Sequence, residues 1–98
     1  MTRRVILRPV AAEEIREAHD WYELRRPGLG GEFVSYVDEA LERLARSPEA
    51  PARVHREIRR VFVRRFPHGI FYVIEANDIV VLAVFHGRRN PAQWQKRQ

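Results

Sequence analysis

The feature that most constrains the fold is an apolar run near the C-terminal end. Every side chain from Ile79 to Phe85 is apolar, and His86 and Gly87 follow directly. A short run rich in β-branched residues is typical of a strand buried on both faces. The chain must therefore supply cover for both sides of a sheet. The cationic, aromatic tail after the run makes its end a candidate site for binding or chemistry.

Length and composition indicate one globular domain, residues 1–98. The chain has 98 residues, of which 45% are hydrophobic, enough for a single core. It has no cysteine, which excludes disulfides, a thiolate nucleophile and a thiolate metal site. No apolar segment approaches the roughly 20 residues of a membrane helix, and the N-terminal end lacks the apolar stretch of a secretory signal. We expect a cytoplasmic protein with no membrane association.

The charge is strongly basic. Lysine and arginine number 18 against 13 acidic residues, for a net charge of +5, and every basic residue except Lys96 is arginine. Guanidinium groups hold carboxylates and phosphates bidentately. The expected partner is therefore acidic.

Two helices are predicted in the N-terminal half, after a short strand at Val5 to Leu7. Apolar residues recur at helical spacing from Ala11 to Tyr22, with acidic residues in the first turn of this helix. Pro27 and Gly28 break the pattern, and a second helix runs from about Leu29 to before Pro48. The short turn between them predicts an antiparallel hairpin. The apolar stripe of the second helix is Phe33, Val37, Ala40, Leu41 and Leu44.

The C-terminal half is predicted to be a sheet. Ser47 to Glu57 forms a connecting loop, and three strands follow at Ile58 to Phe66, Ile70 to Glu75 and Ile79 to His86. Tight turns between them predict an antiparallel meander. The fold class is thus α+β: an N-terminal strand, a two-helix hairpin, a three-stranded antiparallel meander and a short C-terminal tail, with both helices on one face.

The second face of this sheet also needs cover. The last two strands are apolar on both faces, and two helices can cover only one of them. Either the C-terminal tail folds back over the other face, or another chain covers it. We favour another chain.

The first strand of the meander carries the main candidate binding surface. Its residues Arg60, Phe62, Arg64 and Phe66 alternate with others and so share one face. Interleaved arginine and phenylalanine can bind an acidic, partly apolar peptide or a nucleic acid. The alternative is a sheet edge that charges guard against aggregation. We favour binding.

The histidines give weak signals. His86, beside Arg88 and Arg89, could act as a general acid or base on a phosphodiester, with arginine stabilising the developing charge. No second general base accompanies it, so a structural role is favoured. None of the four histidines has a metal-ligand spacing, and we expect neither a metal nor a cofactor.

The ordered set of motifs resembles the ParE branch of the RelE/ParE toxins, and the match covers nearly the whole chain. The motifs are Trp21-Tyr22, Pro27-Gly28-Leu29-Gly30, Phe33, Arg59-Arg60, Phe66-Pro67-His68-Gly69-Ile70-Phe71-Tyr72, and Val81 to Phe85 with His86-Gly87-Arg88-Arg89-Asn90-Pro91 and Trp94. The resemblance implies a type II toxin with a cognate antitoxin as its partner and DNA gyrase as its target. The residues we expect to contact antitoxin or target are Trp21, Arg60, Phe62, Arg64, Phe66, His86, Arg88, Arg89 and Trp94.

Two other functions stay open. RelE-like relatives are ribosome-dependent mRNA endonucleases, and the residues that would serve here are His86, Arg60, Arg64 and Arg88. Gly87 stands where a catalytic aromatic residue often follows the histidine in those relatives, and their sheet lysines are missing. Both departures favour a toxin without catalytic residues. A plain nucleic-acid-binding module is the third possibility, predicted from charge alone.

Overall fold

The computed structural model describes residues 3–87 and 90–97. The elements, in chain order, are β1 (Arg4–Leu7), α1 (Pro9–Arg25), α2 (Leu29–Arg46), β2 (Arg53–His55), β3 (Ile58–Phe62), β4 (His68–Glu75), β5 (Asp78–His86) and α3 (Ala92–Gln95). None of these helices is long and apolar enough to cross a membrane. The α+β class, the helical hairpin and the meander of β3, β4 and β5 are confirmed.

The sheet is larger than predicted and it is mixed. Its order is β1-β5-β4-β3-β2, with β1 parallel to β5 and the other pairs antiparallel. The predicted Ser47 to Glu57 loop is wrong in one respect, because β2 lies within it and pairs with β3. Arg56, with a φ of 51°, closes that hairpin without the glycine or asparagine that usually marks such a turn.

Helix α1 begins two residues earlier than the periodicity indicates. Pro9 occupies a first-turn position, where its missing N–H costs no hydrogen bond. Glu13 and Glu14 therefore lie beyond the first turn, which contains no acidic residue. The expectation that acidic side chains stabilise this helix start is wrong. Glu14 is instead used in a tertiary contact with β5.

The turn between α1 and α2 is closed by glycines and one carboxylate. Gly28 adopts the left-handed conformation, with a φ of 91°. Gly30 lies so close to α1 that an added Cβ would sit 2.6 Å from the carbonyl oxygen of His19. The Glu23 carboxylate accepts hydrogen bonds from the backbone N–H groups of both glycines. These contacts fix the helices as a close-packed hairpin.

Strand β3 ends at Phe62, four residues before the predicted boundary at Phe66. The N–H of Val63 still donates to the carbonyl of His68, at 2.9 Å, but the chain then turns through Arg65, which has a φ of 66°. Phe66 packs on the helix side of the sheet, against the hydrophobic core. Phe66 therefore lies outside β3 and contacts the helix side of the core.

The chain itself covers the second sheet face, which we call the outer face. Residues from β3, β4 and β5 are buried there: Ile58, Phe71, Val73, Val80, Leu82, Ala83 and Phe85. Trp94 of α3 joins them with 6% of its surface exposed. The prediction that another chain covers this face is wrong, because the tail folds back over it.

Candidate functional site

A cleft of about 620 Å³ opens between α1, the end of β5 and the turn that precedes β4. Its lining combines apolar, acidic and histidine side chains: Glu14, Glu17, Ala18, Trp21, Tyr22, Pro67, His68, Val84 and His86. Two of the residues singled out from the sequence, Trp21 and His86, meet here.

The phase of α1 separates its two adjacent aromatic residues. Tyr22 packs on the core as predicted, with its ring 5.3 Å from that of Phe33. This burial raises the pKa of the Tyr22 hydroxyl. Trp21 remains 51% exposed, and the guanidinium of Arg25 lies 3.8 Å above its ring. Arg25 thus adds a cation beside the indole of Trp21, which lines the cleft.

His68 and His86 lie opposite each other on β4 and β5, with ring centroids 5.6 Å apart. The sequence predicts His68 in a hairpin turn, whereas it is the first residue of β4 and is buried. Its ring is 4.9 Å from that of Phe33 and 5.8 Å from that of Tyr22. The turn that pairs Glu75 with Asp78 would place His68 opposite Phe85, and an irregularity at Phe71 and Tyr72 shifts it to His86, so no local signal identifies the pair.

Glu14 and the tail residue Arg97 meet at the edge of β5 beside the cleft. The Glu14 carboxylate accepts a hydrogen bond from the N–H of Val84 at 3.0 Å. Arg97 donates to the same carboxylate oxygen at 3.0 Å and to the carbonyl of Leu82 at 3.1 Å. Neither Glu14 nor Arg97 was singled out from the sequence, because their pairing joins the two ends of the chain.

Arg60 and Phe62 form a separate pair on the outer face of β3, in which Arg60 is partly buried and Phe62 is exposed. The Arg60 guanidinium lies 4.5 Å above the ring of Phe62, which is 53% exposed. The Arg60 side chain passes over Gly69, where an added Cβ would be 3.0 Å from Arg60 Cδ. Gly69 thus leaves room for an arginine that lies flat on the sheet.

Of the other predicted residues that the structure describes, Arg64, Phe66 and Trp94 join neither surface. Arg64 lies in the turn after β3, and its Nε is 3.4 Å from Oε1 of Glu39 on α2. Phe66 is partly buried against the core, with its ring 4.9 Å from that of Tyr22. Trp94 is buried. Arg88 and Arg89 lie outside the described residues. The predicted common face of Arg60, Phe62, Arg64 and Phe66 is therefore wrong.

This arrangement limits the chemistry that the described side chains can perform together. His86 faces the helix side of the sheet and lines the cleft, whereas Arg60 pairs across the outer face with Phe71. The sheet therefore lies between His86, the candidate general acid or base, and Arg60, the candidate charge stabiliser. Arg64 is directed to Glu39 on α2. Residues 3–87 and 90–97 also contain no group of three or more histidine or carboxylate side chains that could hold a metal ion.

Comparison with known proteins identifies the family. The model of the ParE toxin of the type II toxin-antitoxin system parDE matches residues 5–91. Toxin ParE2 of Mycobacterium tuberculosis is 28% identical over 92 residues, which cover 93% of this chain and 88% of that protein.

Solved structures share the fold. A chain of the chromosomal ParDE toxin-antitoxin system from P. aeruginosa superposes with a TM-score of 0.78 at 16% identity, covering 87% of this chain and 96% of that one. A mutant of E. coli toxin RelE in the free state gives a TM-score of 0.71 at 16% identity, with coverage of 99% and 94%. Because the ParE toxin model spans nearly the whole chain, this protein belongs to the ParE family of toxins from type II toxin-antitoxin systems.

Proposed function

We propose that this protein inhibits DNA gyrase by binding, without a catalytic step, and that a cognate antitoxin neutralises it. The observation that carries the choice of a binding mechanism is the separation of His86 and Arg60 on opposite faces of the sheet. General acid-base catalysis on a phosphodiester needs the proton donor and the charge stabiliser at one reacting group. Two separate exposed surfaces suit recognition better.

The cleft between α1 and β5 is the proposed antitoxin site. An antitoxin partner is supported by the P. aeruginosa ParDE system and by RelBE2 of M. tuberculosis, described as a toxin-antitoxin complex, whose matched chain has a TM-score of 0.61 at 18% identity and 88% and 99% coverage. Trp21 offers a large, partly exposed indole at the cleft, the kind of residue that dominates protein interfaces.

The Arg60-Phe62 pair on the outer face is the proposed contact with gyrase. The guanidinium of a partly buried arginine, stacked on an exposed ring, can pair with a carboxylate or a phosphate while the ring packs on an apolar neighbour. The net charge of +5 would favour the approach of an acidic target. Gyrase inhibition implies action in the cytoplasm.

The test is a supercoiling assay with purified gyrase. We expect the protein to block supercoiling and to trap cleaved DNA, and we expect the co-purified product of the neighbouring reading frame to abolish both effects. Undisturbed supercoiling with no trapped complex would reject the gyrase target. Cleavage of mRNA on translating ribosomes, lost in His86→Ala, would support the ribonuclease alternative instead.

A further inference from the structure

A second cavity, of about 500 Å³, lies between the β2–β3 hairpin and α3. Its lining is cationic and polar: His55, Arg56, Ala92, Gln95 and Lys96. We call it the Arg56-Lys96 pocket. No aspartate or glutamate lines it, whereas the cleft between α1 and β5 is lined by Glu14 and Glu17. The Arg56-Lys96 pocket is therefore suited to an anion.

The two cations of the pocket have no acidic partner within residues 3–87 and 90–97. Glu57, the neighbour of Arg56 in the hairpin, is directed to Arg53 instead, with its Oε2 3.5 Å from Nε of Arg53. Arg56 and Lys96 are both exposed. An anion that enters the pocket thus meets two positive charges that no described carboxylate neutralises.

Arg56 occupies a backbone conformation that an arginine does not favour. Its φ is 51°, in the left-handed region that glycine and asparagine adopt most readily. An arginine does not help to form such a turn, and this one makes no described ion pair. Its charge is what distinguishes it from the residues that the turn prefers. A role for that charge in binding explains why an arginine stands there.

The buried Trp94 holds the two sides of the pocket together. Its indole packs edge-to-face with the ring of His55, with centroids 6.2 Å apart and an interplanar angle of 82°. On the other side of Lys96, the Arg97 guanidinium donates to the carbonyl of Leu82 at 3.1 Å. Because the tail is anchored on both sides of Lys96, the pocket is formed before a ligand arrives, and little conformational freedom is lost on binding.

The pocket shares the outer face of the sheet with the Arg60-Phe62 pair. His55 lies opposite Ile58 in the register of β2 and β3, and Ile58 belongs to the outer face. Arg60 and Phe62 follow Ile58 at alternate positions of β3, so Phe62 is roughly 13 Å along the strand from Ile58. One partner complex can therefore contact both places.

The lining favours phosphate groups over an acidic protein segment. An acidic segment binds best where apolar contact accompanies the charge, and Ala92 is the one apolar residue of the lining. Phosphate oxygens need only cations and N–H donors, which Arg56, Lys96 and Gln95 supply. The indole of Trp94 is buried, so it offers no platform on which a base of a single strand could stack. Duplex DNA, which presents its phosphates and keeps its bases inside, fits this pocket.

We propose that the Arg56-Lys96 pocket binds a backbone phosphate of the duplex DNA held by gyrase, while the Arg60-Phe62 pair contacts the gyrase protein. The inference rests on the proposed function, because that function brings the toxin to a complex of gyrase with cleaved DNA. It adds a second partner, the DNA itself, and the residues that hold it.

The first experiment measures binding of the purified toxin to a labelled DNA duplex by fluorescence anisotropy at several salt concentrations. The test variant combines Arg56→Asn, which suits the left-handed backbone, with Lys96→Gln. We expect its affinity to fall by about tenfold, and the slope of log K against log salt to fall by about one for each cation removed. The matched control combines Arg16→Gln with Arg46→Gln, which removes the same charge from exposed sites on α1 and α2, and should bind as wild type does.

The second experiment uses gyrase. Binding of the toxin to gyrase without DNA should be the same for the test variant and wild type, whereas the test variant should trap about tenfold less cleaved DNA. A test variant that traps as much cleaved DNA as wild type and binds the duplex as tightly as the control would overturn this inference and leave the proposed function intact. Wild type that neither binds gyrase nor traps DNA would overturn both.

Two other outcomes would assign the pocket to another partner and overturn the proposal. The first is tighter binding of single-stranded RNA than of the duplex in the same anisotropy assay, with that binding lost in the test variant. The second is loss of gyrase binding without DNA in the test variant, which would show that the pocket holds an acidic surface of the protein.

Discussion

The indole of Trp94 stacks on the ring of Phe71, with ring centroids 4.2 Å apart and an interplanar angle of 20°. Trp94 belongs to the tail and Phe71 to the middle of β4, so this contact fastens the tail to the outer face of the sheet. It also explains why an apolar sheet face needs no second chain. The tail serves as the third layer of the fold.

Trp94→Ala should therefore destabilise the protein strongly. Removing a buried aromatic side chain costs about 3 to 5 kcal/mol, which for a domain of this size lowers the melting temperature by more than about 10 °C. Urea denaturation provides the measurement. Trp21→Ala is the matched control, because Trp21 is half exposed, and should change stability by only about 0.5 kcal/mol. Equal losses in the two variants would contradict the assignment of Trp94 to the core.

Local patterns predicted the central elements well. The predicted strand from Ile79 to His86 includes all of β5 except its first residue. A continuous apolar run is a reliable local signal because it is typical of a strand buried on both faces. Helix α2 also begins at the predicted Leu29, where Gly28 supplies a backbone conformation that few residues tolerate. Such signals are local, so one sequence suffices to find them.

The errors arise where distant residues decide the structure. The alternation from Arg60 to Phe66 satisfies a strand pattern, but the rings of Tyr22 and Phe33 draw Phe66 to the helix side. The parallel pairing of β1 with β5 joins segments more than 70 residues apart in sequence, as the Arg4 to Asp78 register shows. No local pattern encodes either contact.

In the candidate site, too, single residues could be predicted from the sequence, but the contacts between distant residues could not. Trp21 and His86 could be selected one at a time as an exposed aromatic and a strand-terminal histidine. Their meeting in one cleft depends on how α1 lies against β5. The Glu14-Arg97 ion pair cannot be predicted for the same reason, since its residues lie 83 positions apart.

Two neighbouring glycines of α2 should respond oppositely to alanine. Gly30→Ala places a Cβ 2.6 Å from the carbonyl oxygen of His19, and a backbone atom cannot move away cheaply, so we expect a loss of stability. Gly31→Ala meets nothing within 4 Å and should gain about 0.5 to 1 kcal/mol from helix propensity. Thermal unfolding of both variants checks the pair. A stabilised Gly30→Ala would contradict the close approach of α1 and α2.

The Glu23 carboxylate should make the helical hairpin sensitive to acid. Hydrogen bonds from the N–H groups of Gly28 and Gly30 hold the pKa of Glu23 below its ordinary value. A carboxyl with a lowered folded-state pKa stabilises the fold above its unfolded pKa, and that stability is lost as the pH falls through the folded value. Wild type should exceed Glu23→Gln in stability at pH 7, with the difference shrinking below about pH 4. Glu32→Gln, which removes an exposed ion pair with Arg26, is the control.

Tyr72 should titrate well above an ordinary tyrosine. Its ring is buried in the core and its hydroxyl donates to the carbonyl of Pro48 at 2.8 Å. Burial raises the pKa of Tyr72 to about 12. Absorbance at alkaline pH measures it, with Tyr72→Phe identifying the late component. Loss of the hydrogen bond in that variant should cost about 1 kcal/mol. A single tyrosine transition near pH 10 would contradict the buried position.

Substitutions on the two surfaces should separate antitoxin binding from gyrase inhibition. Trp21→Ala removes the indole at the cleft and should weaken antitoxin binding by about 2 kcal/mol, as for an interface aromatic anchor, while gyrase inhibition stays near the wild-type level. Phe62→Ala removes the ring beneath the Arg60 guanidinium on the outer face and should do the reverse. Titration calorimetry with the antitoxin and the supercoiling assay give the two readouts. Loss of both activities in either variant, with folding intact, would mean that antitoxin and gyrase share one surface.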